Sequence, residues 1–205
     1  MSGRNPTTCG GLFVYIMPQK RRFDPIKMKI TETEIAITFF KRSFKRVDEA
    51  WPHIYKKLKE TLSKSYLFEI ENEEEAKMML TFAVISIEIQ NLRKFFPDQS
   101  EHVHNKFMEI INSLEESDYV NKKIAIYTDK VQKSYKQHEK NERYSIFEEV
   151  SVQLMQDWFG YDVSKFYVRN TKVVNPFITN LITLFLISLT DFWEKNKDNL
   201  VIIKD

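Results

Sequence analysis

From Phe40 onward, Phe40, Phe44, Val47, Trp51, Ile54, Leu58 and Leu62 follow one another at spacings of three or four. They fall on one side of a 3.6-residue helix. Thr31 with Glu34 forms a capping box and marks where that helix begins. Pro52 interrupts the polar side, where its ring clashes with the carbonyl of Asp48, so the pattern predicts a kink near 48–52 or two helices meeting there.

A second helix is predicted over 73–95, opened by Asn72 and Glu75 and closed by Phe95-Phe96-Pro97-Asp98. Ala76, Leu80, Ala83, Val84 and Ile87 face one way, and Met78, Met79, Phe82 and Ile85 fill most of the rest. Only Lys77, Thr81 and Glu88 make a polar strip. A helix so apolar is buried on most sides.

Shorter periodic runs follow. Val103, Phe107, Ile110 and Leu114 predict a helix capped by Asp98 or Ser100. Val120, Ile124, Tyr127, Val131 and Tyr135 make a narrow seam on a lysine-rich helix from 117 or 118 to about 138. A seam this narrow touches the body along one line. Ser145 with Glu148 reads as another capping box before Phe147, Val150, Leu154 and Trp158, with Gly160 placed to close the helix. Residues 161–174 read as a short helix or loop.

The most apolar run is 175–193. Asn175 caps it, and Pro176 suits its first position. Phe177, Ile178, Leu181, Ile182, Phe185, Leu186, Leu189 and Trp193 cover about half its circumference, with Thr179, Thr183 and Thr190 as a thin polar stripe behind. The 18 uncharged residues from Val173 to Thr190 barely reach spanning length, and they are diluted by Asn175, Pro176, Asn180 and threonines. The expectation is a buried core helix and no membrane span. The apolar Leu200-Val201-Ile202-Ile203 is expected to pack back onto the body.

The fold class that follows is all-α, a single helical bundle of about six or seven helices over 28–205 with two central apolar helices, 73–95 and 176–193. Composition supports it. Of four glycines, three lie in the first eleven residues and only Gly160 follows, so tight hairpins and Gly-rich phosphate loops have little to draw on. Residues 1–27 differ in character, with early Gly, Pro and Thr, a short apolar run at 12–17 and the basic Lys20-Arg21-Arg22. They read as a mobile leader, non-native if Met28 is the true start. They do not read as a signal peptide, since no small-residue cleavage site follows the run.

Charge is segregated. Residues 41–64 carry eight basic and three acidic side chains, 65–117 four and eleven, and 118–145 seven and four. Such blocks suggest solvated faces that pair with one another across the bundle. Lys41, Arg42, Lys45, Arg46, Lys56 and Lys57 form the face best suited to an anionic partner. A nucleic acid would use such a row, but no helix–turn–helix accompanies it, so nucleic acid is not the expected partner.

Candidate chemistry is sparse. His102 and His104 are two apart, a spacing that points their rings to opposite sides of a helix, so no metal site is expected. Glu73-Glu74-Glu75 occupies a first turn, where carboxylates offset the helix dipole. Glu88, in the most apolar stretch, is expected to reach solvent or a basic partner near Lys77. The chain contains no P-loop, GxGxxG, HExxH, GxSxG or CxxC pattern. The lone Cys9 rules out an internal disulfide and fits a reducing compartment, so the expected location is cytoplasmic.

Three functional classes remain. The first is a non-enzymatic helical interaction or regulatory protein that uses a charged surface to bind a protein partner, with self-association also compatible. The second is a small-molecule or lipid binder with a cavity lined by Met78, Met79, Phe82, Glu88, Phe177, Leu181 and Phe185. The third is an enzyme whose dispersed site uses Glu88 and a histidine. No cofactor is called for by any motif.

Overall fold

A computed structural model describes residues 27–62, 70–141, 145–160 and 175–205. The expected leader, apart from Lys27, and the 161–174 connection lie outside them. The described chain is helical: α1 (Glu32–Leu62), α2 (Glu73–Phe95), α3 (Ser100–Asn112), α4 (Ser117–Lys140), α5 (Glu148–Phe159), α6 (Pro176–Leu189) and the short α7 (Phe192–Asn196). Two strands flank this set, β1 (Met28–Thr31) and β2 (Leu200–Ile203). They pair in parallel, with Met28 opposite Leu200 and Thr31 opposite Ile203. The apolar end of the chain thus returns to the body as a strand, and Leu200 and Ile202 are buried.

The local signals explain the helix starts. Glu34 N–H donates to Thr31 Oγ1 at 3.2 Å and Thr31 N–H to Glu34 Oε2 at 3.1 Å, a closed capping box. Glu75 N–H donates to Asn72 Oδ1 at 3.1 Å, and Phe177 N–H to Asn175 Oδ1 at 3.0 Å. Pro52 does not divide α1, which is one helix of 31 residues with the proline on its exposed side. At α5 the expected box is replaced. Ser145 Oγ accepts from Phe147 N–H, and Ser134 Oγ on α4 accepts from Glu149 N–H. Gly160 closes that helix at φ 76°, a conformation side chains with a Cβ disfavour.

Helix α2 is the centre, packed against α1, α3, α4, α5, α6 and α7. Thirteen of its residues are buried, including the whole run Met79–Ile89. Helix α6 packs against α1, α2 and α5 with one face and shows the other to solvent. Burial on most sides holds for α2 and fails for α6. The threonines face inward: Thr183 Oγ1 lies 3.2 Å from Ser151 Oγ, and the Thr179 and Thr190 hydroxyls donate to Pro176 O and Leu186 O. Phe177, Leu184 and Ile187 point out, at 65%, 62% and 51% exposure. Small hydroxyls that bond within their own helix let α6 approach the bundle closely, at no cost in unpaired polar groups.

The stretch Pro176–Asn196 is, among the described residues, the one long and apolar enough to cross a membrane by length and composition. Half of it is buried against the body, and α6 stops at Leu189, before Phe192 starts α7.

Candidate functional site

The stripe on α1 leaves the core at its first two members. Phe39 is buried against Phe107, Phe192 and Trp193, whereas Phe40 and Phe44, with tilted rings 4.9 Å apart between centroids, are only half-buried. They form one wall of a cleft of about 500 Å³ lined by Phe40, Phe44, Met78, Phe82, Leu114, Glu115, Glu116 and Val120. Helix α1 supplies the two rings, α2 supplies Met78 over a buried Phe82, and the α3–α4 turn supplies Leu114, Glu115 and Glu116. Leu114 was expected to face inward. It sits past the end of α3 and is 38% exposed, while Ile111 takes the inward place.

A second cleft, about 560 Å³, is lined by Asn72, Glu74, Glu75, Met78, Glu116 and Tyr119. The two share Met78 and Glu116, so they form one trough from the N-terminal turn of α2 to the rings of α1. Its floor is aromatic and aliphatic. Among the described residues its charged lining is Glu74, Glu75, Glu115 and Glu116, with no lysine or arginine. Two lysines beside it are engaged, Lys77 with Glu74 and Lys123 with Asp157 at 2.9 Å. Asp157 also accepts from the buried Tyr127 hydroxyl at 2.6 Å, which fixes α5 to α4 behind the trough.

The residues expected to line a ligand cavity are not brought together. Met78 and Phe82 line the trough, but Met79 is buried in the core. Phe185 is buried on α6, Leu181 is half-buried, and Phe177 points to solvent. On α6 the inward side carries Ile178, Ile182, Phe185, Leu186 and Leu189 packed together with Thr179 and Thr183, while Phe177 faces away, so the expected lining is split between core and solvent.

Glu88 reaches neither solvent nor Lys77. It is 1% exposed, and its Oε1 accepts from Phe192 N–H at 2.7 Å while Oε2 accepts from Asn91 Nδ2 at 3.2 Å. It therefore caps the first turn of α7 from inside the core. Burial pushes its pKa up to about 7, against the two hydrogen bonds that favour the carboxylate. Neither cleft includes Glu88 or a histidine. His104 is half-buried with Nδ1 unpaired, and burial followed by the Arg93 charge lowers its pKa. Among the described residues no group of three or more His, Cys, Asp or Glu could hold a metal ion.

The basic face pairs locally rather than across the bundle. Lys45 meets Glu49, and Lys56 and Lys57 both meet Glu60 one turn away. Arg46 is the long-range exception, bonded to Asp191 and to Ser188 O. Arg42 lies over the Phe192 ring at 5.2 Å, and Lys41 is exposed. Lysines three or four residues from glutamates satisfy their charge within one helix, so Lys45, Lys56 and Lys57 show no pairing with the acidic 65–117 block among the described residues.

The trough was missed from sequence because Phe40 and Phe44 continue the core stripe without a break in period. The readable signal was Glu115-Glu116 directly after Leu114, charge placed beside an apolar residue at a helix junction. Comparison of the chain with protein-family models, with curated proteins and with solved structures found no match.

Proposed function

We propose that this chain is a non-enzymatic helical interaction protein whose partner seats in the trough between α1, α2 and the α3–α4 turn. The observation that carries this reading is the half-buried apolar floor of Phe40, Phe44 and Met78 under a rim whose charged groups, among the described residues, are all carboxylates. Apolar side chains left partly open in a concave surface are where partner contacts concentrate. Among the described residues Glu88 is the core carboxyl pushed furthest up, and it is committed to holding α7, which speaks against the dispersed catalytic site built on it.

A photo-crosslinking side chain at Leu114, with the same group at exposed Lys136 on α4 as control, tests this in the cells that make the protein. The expected result is a discrete adduct with another protein from position 114 and none from 136. Equal, diffuse adducts from both positions would overturn it.

The volume of the cleft on α1 favours a second reading, a small amphiphile, since about 500 Å³ falls in the usual range for such ligands. Native mass spectrometry of the purified protein separates the two: a co-purifying mass below that of a peptide selects the amphiphile.

A further inference from the structure

Resting on the trough as the partner site, we infer that its occupant is a basic amphipathic helix of another protein. Such a helix would set three apolar side chains on the floor and its lysines or arginines against Glu74, Glu75, Glu115 and Glu116. Charge decides first. Among the described residues four carboxylates line the trough and no cation does. Among the described residues Glu75, Glu115 and Glu116 have no ion pair. Covering them with a neutral apolar ligand would strip water from unpaired carboxylates, and covering them with an acidic one would add repulsion. Cations on the occupant turn the same desolvation into complementarity.

Shape decides second. From Glu74 to Phe82 helix α2 advances about 12 Å, and the Phe40–Phe44 wall extends the trough beyond Met78. That length accepts a little over two helical turns, and apolar side chains at i, i+4 and i+7 span about 10 Å, so they would reach the floor together. Phe and Met surfaces adapt to varied side chains, so anchors of more than one shape fit.

The test uses the full chain and three labelled 16-residue probes followed by fluorescence anisotropy. One has leucines at i, i+4, i+7 and i+11 with lysine elsewhere; the second replaces its lysines with glutamate; the third replaces its leucines with serine. The lysine–leucine probe is expected to bind at least tenfold more tightly than either of the others. Its affinity should drop tenfold or more in the E115K/E116K variant and, independently, in Leu114→Asp, with circular dichroism unchanged in both. Equal binding of the glutamate–leucine probe, or no change in both variants, overturns the inference. If no probe binds but the Leu114 crosslink captures another protein, the trough stands and the basic occupant is wrong; if that crosslink also fails, the trough itself is wrong. An adduct within the same chain also overturns it, because Leu12–Met17 followed by Lys20-Arg21-Arg22 carries the same chemistry.

Discussion

Glu88 is an acid kept from water by the α2–α7 contact, and its ionisation works against the fold. Its carboxyl is raised from about 4.5 to about 7 by burial. Between those values the native state holds a proton that the unfolded state has released, so stability falls as pH rises through this window. The full effect is roughly 3 kcal/mol. Urea denaturation at pH 5, 6, 7 and 8 should show Glu88→Gln gaining on the parent by about that amount across the series. Gln keeps an acceptor for Phe192 N–H, so a constant offset between the two proteins would show that Glu88 does not titrate in the folded state. Tyr127 makes the complementary case. Its hydroxyl is buried on Asp157, and Tyr127→Phe should cost about 1–2 kcal/mol, since a hydrogen bond to a charged acceptor is lost without leaving a cavity. A denaturation midpoint unchanged by that substitution would mean the bond contributes nothing net.

At the scale of elements, helix α2 was legible from end to end because cap, period and terminating Phe-Pro-Asp agree. Helix α6 was legible in position but not in orientation. Its apolar half and its threonine stripe suggest that the threonines lie behind the packed face, whereas the buried side combines Thr179 and Thr183 with Ile178, Ile182 and Leu186, and Leu184 and Ile187 face out. Thr183 meeting Ser151 is a tertiary fact with no local signature. The outward face is testable by contrast. Leu184→Ser should change stability by no more than about 0.5 kcal/mol, as surface substitutions do. Ile182→Ala, on the opposite side of the helix and fully buried, should cost about 2–5 kcal/mol. Chemical denaturation of both settles it, and a large loss in Leu184→Ser would put α6 the other way round. The trough was illegible for a related reason. A helix stripe shows which side is apolar, and Phe40 and Phe44 look like core until α3 ends short of covering them.

For the molecule as a whole, the bundle was foreseeable from glycine scarcity and the run of amphipathic segments, whereas the small sheet was not. Strands of four residues give too little alternation to read, and their partners lie at opposite ends of the described chain. The sheet is held further by Asp205, whose carboxylate accepts from Thr33 N–H and Oγ1 and lies 3.7 Å from Lys106. Removing Leu200–Asp205 should therefore lower stability by about 3 kcal/mol or more, from the burial of Leu200 and Ile202 alone. Thermal melts of the shortened chain that match the parent would show the sheet to be ornamental.

The β1–β2 pair also fixes an order of events during synthesis. Thr31 emerges from the ribosome long before Leu200; at ordinary elongation rates the gap is roughly 10–30 s. Throughout it β1 has an open edge, while α1, α2 and α3 already have one another. During synthesis the sheet is therefore among the last of the described contacts to become possible, and the expectation for refolding of the full chain is the same order, with the sheet closing after the barrier. Weakening it by Ile202→Ala should speed unfolding and leave the refolding rate nearly unchanged.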